Sequence, residues 1–233
     1  MRFPLRLIAD LAIGRVARAL RLRRNDPLIL NLAADESVPP ASPVVWIGGS
    51  EPLERAEIAR VANAVAAAGH YVFLQTDGIL LRRRIHEFQP SSRLYLTIGF
   101  DGTRQSHDSR AARQRAFQAA LDGMRTAKLC GFLLCAHLIL QADGDAVELT
   151  MLHDELRKLN FDGFLISPAA PTSELARSVA DARRRLLSRR WALLSRLLDS
   201  VGLAASARES SQISRNPVAE LPPAKCEESV QAP

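Results

Sequence analysis

The chain has 233 residues, 47% of them hydrophobic, which is enough to bury the core of one ordinary domain. Three cysteines in this length do not make a disulfide framework, and this favours a reducing compartment. No run of about 18 uninterrupted apolar residues occurs, and charged residues interrupt the N-terminal segment, so neither a spanning helix nor a signal peptide is expected. We therefore expect a cytoplasmic protein.

The net charge of +6 is concentrated in two segments. Residues 1–24 contain seven arginines and one aspartate, a sum of +6, so the rest of the chain sums to zero. Residues 173–200 contain seven arginines and three acidic residues, a sum of +4. Two basic helices are thus predicted to flank the core. Such segments suit anionic lipid head groups, nucleic acid or an acidic protein partner.

The first predicted element is a moderately amphipathic helix over residues 4–22, inside the basic segment of residues 1–24. Its apolar stripe is predicted to consist of Leu5, Ile8, Ala12, Val16 and Leu20. Two roles are open for this helix: it binds an anionic membrane peripherally, or it packs beneath the core as a plug.

From residue 27 onward, predicted strands alternate with predicted helices, which indicates βαβ units and a parallel sheet. Strands are predicted at 27–32, 43–47, 71–75, 93–100, 132–140 and 163–167. Helices are predicted at 53–68, 79–88, 110–129, 146–159 and 173–200. The first two strands are joined by about ten residues, too few for a crossover helix, so the first βα unit is predicted to be truncated.

The predicted organisation is a barrel domain over residues 25–170, followed by a basic C-terminal helix over residues 171–203. Residues 204–233 are rich in Ser, Glu and Pro and are predicted to be disordered.

A glycine turn follows the strand at residues 43–47 and reads Gly48-Gly49-Ser50-Glu51-Pro52. A turn of this kind leaves backbone N–H groups free to meet a polar ligand, and Glu51 either binds an amine ligand or stabilises the start of the next helix.

Two later strands end in aspartates beside glycine, Asp77 and Asp101. These carboxylates either bind a metal or do acid–base work, or they are turn residues that bond the local backbone. His107 and Asp108 are either a base with its orienting carboxylate or a surface histidine beside a helix cap.

Taken in order, these motifs resemble those of the radical S-adenosylmethionine (SAM) superfamily, closest to its hopanoid-biosynthesis branch, which attaches adenosyl to hopene. The resemblance covers about residues 1–170. It rests on the turn at residues 48–52 and on Thr76-Asp77-Gly78, Asp101-Gly102, His107-Asp108 and Ser167-Pro168. It implies an α/β fold, an incomplete parallel (β/α)6 TIM-like barrel. It also implies SAM-binding positions at Gly48, Gly49, Ser50, Glu51, Asp77 and Asp101.

The sequence departs from this family at the cofactor. The family's Cys-x3-Cys-x2-Cys loop, which holds an iron–sulfur cluster, is missing, and the cysteines are Cys130, Cys135 and Cys226. Three thiolates must converge on one cluster, so we expect no cluster and no metal site. Cys130 and Cys135 are predicted to be small buried hydrophobic residues. Ser50 replaces a glycine and is predicted to crowd bound SAM.

The sequence thus predicts a radical SAM-like pseudoenzyme, an accessory or regulatory subunit without redox chemistry or a cofactor of its own. A protein partner is expected, such as an active relative, and an anionic membrane surface is a second candidate contact. The alternative is an enzyme or binding protein that still holds SAM or another small ligand at the barrel mouth. Nucleic acid is disfavoured because aromatic residues make up only 5% of the chain.

Overall fold

The computed structural model describes residues 3–19, 29–31, 42–49 and 51–199. Six parallel strands form one sheet, and each strand pairs with the next strand of the sequence. The strands are β1 (Ile29–Asn31), β2 (Val44–Ile47), β3 (Tyr71–Thr76), β4 (Leu94–Phe100), β5 (Leu133–Leu140) and β6 (Gly163–Pro168). Because all six run in one direction, their carboxyl ends lie at one edge of the sheet, which we call the mouth.

Helices connect and flank these strands. They are α1 (Leu5–Ala19), α2 (Ile58–Ala67), α3 (Leu81–Arg84), α4 (Arg104–Arg110), α5 (Ala116–Leu129), α6 (Ala146–Arg157), α7 (Ser173–Leu186) and α8 (Arg189–Asp199). Short 3₁₀ turns follow β2 (Pro52–Glu54) and α3 (Ile85–Glu87). None of the helices in the described ranges is long and apolar enough to cross a lipid bilayer.

The sheet is strongly curled. The rings of Trp46 on β2 and His137 on β5 meet edge to face with centroids 5.5 Å apart. In a flat sheet these strands, separated by two others, would lie about 14 Å apart, since neighbouring strands are about 4.8 Å apart. The fold is therefore α/β, an incomplete parallel TIM-like barrel, as the sequence predicts.

Helix α8 packs on the concave face of the sheet, near the amino ends of the strands. The ring of Trp191 lies 6.5 Å from Phe73 and 6.1 Å from Tyr95. It also covers Gly163, the first residue of β6, where an added Cβ would lie 2.1 Å from the indole. Only glycine leaves room for this close approach, so the end of the barrel opposite the mouth is filled by side chains.

Helix α1 contributes to the same core, but the two described members of the predicted stripe are not buried, and the side chains of Leu5, Val16 and Leu20 lie outside the described part of the chain. Leu7 and Leu11 are buried, whereas Ala12 is exposed and Ile8 is half-buried. Phe3, just before α1, meets Trp191 edge to face at 4.9 Å. Leu7 and Leu11 are four residues apart, and so are Ile8 and Ala12, so helical periodicity allows either pair to face the core. Tertiary packing decides which of the two faces is buried.

The predicted helix over residues 173–200 is two helices. Leu187 is extended (φ −105°, ψ 148°) and ends α7, although no glycine or proline marks the break. The break lets α8 turn back along β6, which is an edge strand. The N–H of Ile166 donates to the Ser195 hydroxyl at 3.3 Å, and the buried Arg183 donates to the carbonyl of Ile166 through Nε at 2.8 Å.

Arg183, one of the arginines of the predicted basic C-terminal helix, is therefore buried inside the protein. It also donates to the Ser195 carbonyl at 3.2 Å and pairs with Asp199 at 2.6 Å. An arginine offers five donors in a fixed fork, and here two of them satisfy the Ile166 carbonyl, with which a further strand would otherwise pair.

Other boundaries differ from the predictions in detail. The helix predicted near 110–129 is preceded by a separate short helix, α4, and the one predicted at 79–88 is a single turn of α-helix followed by a 3₁₀ turn. The predicted loss of the first βα unit and the predicted disorder of residues 204–233 concern residues outside the described ranges.

Candidate functional site

The mouth begins at the glycine turn after β2. Gly49 has φ +106°, a left-handed conformation that favours glycine. A Cβ at Gly48 would lie 2.6 Å from the Nε1 atom of Trp46, so the indole curls against the backbone there. Ser50, which the sequence predicts to crowd a ligand, lies outside the described residues.

Glu51 connects the ends of β2 and β3. Its Oε1 atom accepts from the Leu53 N–H at 2.9 Å and from the Thr76 hydroxyl at 2.7 Å. Its Oε2 atom accepts from the Asp77 N–H at 2.8 Å. A carboxylate has about four acceptor positions, so three of them are used inside the protein.

The electrostatics of Glu51 follow from its position. Burial raises its pKa from 4.5 to about 7, and the nearby Asp77 carboxylate adds to the effect. The three hydrogen bonds act in the opposite direction, because they stabilise the charged form. Glu51 thus titrates near neutrality while remaining tied to its neighbours.

Asp77 has the geometry of a turn residue. Its side chain is exposed, and Oδ1 accepts from the Ile79 N–H at 2.8 Å. The preceding Thr76 hydroxyl accepts from the Gly78 N–H at 3.0 Å. This is the local side-chain-to-backbone bonding typical of aspartate and threonine in turns.

Asp101 connects the ends of β4 and β5. Its Oδ1 atom accepts from the Gln141 amide at 3.3 Å, and its carbonyl accepts from the Arg110 guanidinium. Its N–H donates to Nδ1 of His107 at 3.3 Å. Asp77 and Asp101 therefore hold different parts of the mouth rather than forming a pair.

His107 and Asp108 are not a base and its orienting group. Asp108 accepts from the backbone N–H groups of Arg115 and Phe117, at 3.0 and 2.8 Å, at the start of α5. His107 is buried, not on the surface, with its ring 5.8 Å from those of Phe100 and Phe117. Burial lowers its pKa and outweighs the opposite effect of the Asp101 and Asp108 carboxylates.

The concave face carries a polar pair that sequence reasoning missed. Nδ1 of His137 on β5 lies 3.1 Å from Oε1 of Gln75 on β3. Gly99 on the intervening strand β4 is the register partner of His137. Because glycine has no side chain, the Gln75 amide can pass over Gly99 to reach His137. The one sequence signal is a histidine at an inward position of an otherwise apolar strand.

His137 is a neutral hydrogen-bond acceptor in this setting. The Gln75 oxygen only accepts, so Nδ1 carries the proton and Nε2 presents its lone pair. Burial, together with the positive charge of Arg183, lowers the pKa of His137 to about 3. Among the described residues, neither its Nε2 nor the buried Thr97 hydroxyl has a hydrogen-bond partner.

The two cysteines that the structure describes do not fit an iron–sulfur cluster. Cys130 is exposed just after α5, contrary to the predicted burial, whereas Cys135 is buried inside β5. Burial raises the pKa of the Cys135 thiol well above its usual value, which opposes the thiolate that a cluster needs. Within the described ranges, no three His, Cys, Asp or Glu side chains come together as a metal site.

No family model and no curated protein matches the chain. Among solved structures, it is similar to SuiB from Streptococcus suis bound to S-adenosylmethionine, at 13% identity and a TM-score of 0.47 over 71% of this chain. A second SuiB structure gives 13% identity and a TM-score of 0.48. Archaeal TYW1 gives 16% identity and a TM-score of 0.46 over 78% of this chain.

The chain spans 37% of SuiB and 61% of TYW1. The superpositions are loose and the identities low, so the fold assignment rests on the strand order and curl of this chain itself.

Proposed function

We propose that this chain is a radical SAM-like protein without redox chemistry that acts as an accessory or regulatory subunit. It would work by contact with another protein, such as an active relative. Its place beside the hopanoid-biosynthesis branch rests on the order of the sequence motifs. Peripheral association with a membrane is a separate proposal.

The observation that carries this proposal is the internal use of Glu51. The carboxylate at the glycine turn is the group best placed to receive a ligand amine, yet three of its acceptor positions are taken by Leu53, Thr76 and Asp77. One acceptor position, on Oε2, is left for a ligand, and a ligand that needed the other three would have to displace bonds worth about 1 kcal/mol net each. Glu51 thus joins the segments that follow β2 and β3 at the mouth.

The cysteines support the same proposal. Radical SAM chemistry needs three thiolates on one cluster, and the described cysteines are one exposed and one deeply buried residue. No reaction step through a cluster can be assigned to these residues.

The test is anaerobic reconstitution with iron and sulfide, followed by iron analysis and addition of SAM with a reductant. We expect no stoichiometric iron and no cleavage of SAM. Stoichiometric iron that is lost in Cys130→Ser or Cys135→Ser would overturn the proposal. In-cell cross-linking with mass spectrometry tests the accessory role, and the absence of a cross-linked protein partner would contradict it.

A second candidate function, small-ligand binding within the barrel, is favoured by His137 alone. Its buried Nε2 lone pair has no described partner and would accept a hydrogen bond from a ligand. Calorimetry with SAM tests this candidate. Low-micromolar binding that His137→Phe weakens and that the exposed-residue control His86→Gln leaves unchanged would favour it over the accessory role.

A further inference from the structure

The outer surface of α8 combines arginines with leucines. Arg189, Leu193 and Arg196 follow one another at spacings of four and three residues, so they lie on one side of the helix. Arg190 and Leu197 border them, and we call these five residues the α8 face. The three arginines are exposed and the two leucines are half-buried, and Leu197 also packs against the core.

The α8 face carries no acidic residue. Asp199, the acidic residue of α8, pairs with the buried Arg183. In the part of the chain that the structure describes, Asp181 on α7 pairs with Arg184 and Arg185. No ion pair between described residues involves an arginine of the α8 face, so it presents three positive charges to solvent.

The opposite side of α8 fixes the direction in which this face points. Trp191, Leu194, Ser195 and Leu198 are buried. Trp191 covers Gly163, and the Ser195 hydroxyl accepts from the Ile166 N–H. The arginines and leucines of the α8 face are therefore presented by a helix that the core already holds, so little ordering is needed on binding.

We infer that the α8 face docks on an anionic lipid bilayer. Arginines bind lipid phosphates and anionic head groups, while Leu193 between them enters the boundary of the acyl chains. A bilayer surface supplies both partners at once. The inference does not rest on the proposed function, because a chain with a cofactor would present the same face.

Nucleic acid fits the α8 face less well. Phosphates would pair with the arginines but would leave Leu193 in a polar setting, whereas Leu197 already packs against the core. The exposed large apolar side chains among the described residues are Ile13, Leu129, Val147 and Met151, so no aromatic ring is there to stack on an unpaired base.

The test is co-sedimentation of the full chain with phosphatidylcholine vesicles, with and without phosphatidylserine, at rising salt. The variant Arg189→Gln/Arg190→Gln/Arg196→Gln removes the charge of the α8 face. The variant Arg82→Gln/Arg83→Gln/Arg113→Gln removes the same charge from exposed arginines elsewhere. Circular dichroism checks that both variants fold.

We expect the wild type to bind only the vesicles that contain phosphatidylserine, and less so at high salt. Loss of the three α8 arginines should weaken partitioning roughly 100-fold, and Arg196→Gln alone about fivefold. The control variant should lose far less. If the triple variant does not fold, Arg196→Gln against Arg113→Gln makes the same comparison.

Two outcomes would overturn the inference. One is equal pelleting of the α8 variant and its control, which would place the contact on another basic segment such as residues 1–24. The other is tight, salt-dependent binding to duplex DNA with no binding to the anionic vesicles.

Discussion

At the scale of single residues, Glu51 shows how a motif residue can serve the fold. Its carboxylate joins the turn after β2 to the end of β3 through Thr76 and Asp77. Burial raises its pKa to about 7, so the charged form that accepts these bonds is itself costly near neutral pH. The residue therefore contributes to stability in a way that depends on pH.

Glu51→Ala is expected to destabilise the protein by about 2–3 kcal/mol, because two amides and a hydroxyl lose their acceptor. The folded-state pKa lies above the usual 4.5, so the pH-dependent stabilisation by Glu51 is fully present below about pH 4.5 and is lost as the pH rises through about 7. Urea unfolding should therefore show a greater deficit for the variant at about pH 5 than at about pH 8.

The control for this variant is Thr172→Ala. Thr172 caps α7 by accepting from the Leu175 N–H at 3.3 Å, and it carries no charge. Its loss should cost about 1 kcal/mol at both pH values. A Glu51→Ala deficit that is unchanged or greater at the higher pH would contradict the assigned burial.

His137 should affect stability in the opposite direction. Its folded pKa of about 3 lies below the usual 6.5, so its contribution is present above pH 6.5 and is lost as the pH falls toward 3. Between these two pKa values the free energy of unfolding is expected to fall by about 1.4 kcal/mol for each pH unit of acidification. His137→Gln should lose this slope, measured by urea unfolding against the wild type. Imidazole NMR signals of His137 that titrate near pH 6.5 would refute the prediction.

Sequence reasoning could single out Glu51 but not His137. Glu51 belongs to a contiguous turn whose glycines and proline are visible in the chain. The environment of His137 on β5 is made by Gln75, Gly99 and Arg183, which come together only when three strands and α7 are in register. No local sequence pattern predicts these contacts.

At the scale of elements, the predicted strands match the structure because each is an apolar run ended by a turn signal, such as Gly48-Gly49 or Thr76-Asp77-Gly78. The predicted helix boundaries agree less closely with the structure. The break at Leu187 has no breaker residue, since it results from the need to cover the edge of β6 rather than from local propensity. Edge coverage is a tertiary requirement, and the helical periodicity of residues 173–200 does not reveal it.

Arg183→Ala is expected to cost about 3–5 kcal/mol, because Asp199 loses its partner and the Ile166 carbonyl loses its donor in a buried place. The matched change Arg184→Ala removes an exposed pair with Asp181 and should cost at most about 1 kcal/mol. Chemical denaturation measures both. Hydrogen exchange should quicken at Ile166 in the first variant only, and equal effects of the two changes would contradict the role given to Arg183.

At the scale of the whole molecule, the two ends of the described chain meet. Phe3 packs on Trp191, and Leu7 and Leu11 are buried in the core that α8 helps to close. This arrangement favours the plug role for the N-terminal helix over insertion of its apolar stripe into a membrane. The positive charge of the N-terminal segment is compatible with both roles, because charge does not determine which apolar face of a helix is buried.

Leu7→Ala should destabilise the protein by about 2–5 kcal/mol, since a fully buried leucine is lost from the core. Ile13→Ala, on the same helix but at a residue 66% exposed, should cost less than about 0.5 kcal/mol. Thermal unfolding distinguishes them. A small effect of Leu7→Ala would show that α1 is not part of the core.

The covered edge of β6 has a consequence for how the protein is made. Synthesis proceeds from the N-terminus, so all six strands leave the ribosome before Arg183, Ser195 and Asp199 do. Until then β6 presents unpaired backbone groups that another nascent chain can join. A message truncated before residue 189 should therefore yield aggregates, and chaperone dependence should fall once α8 has been translated.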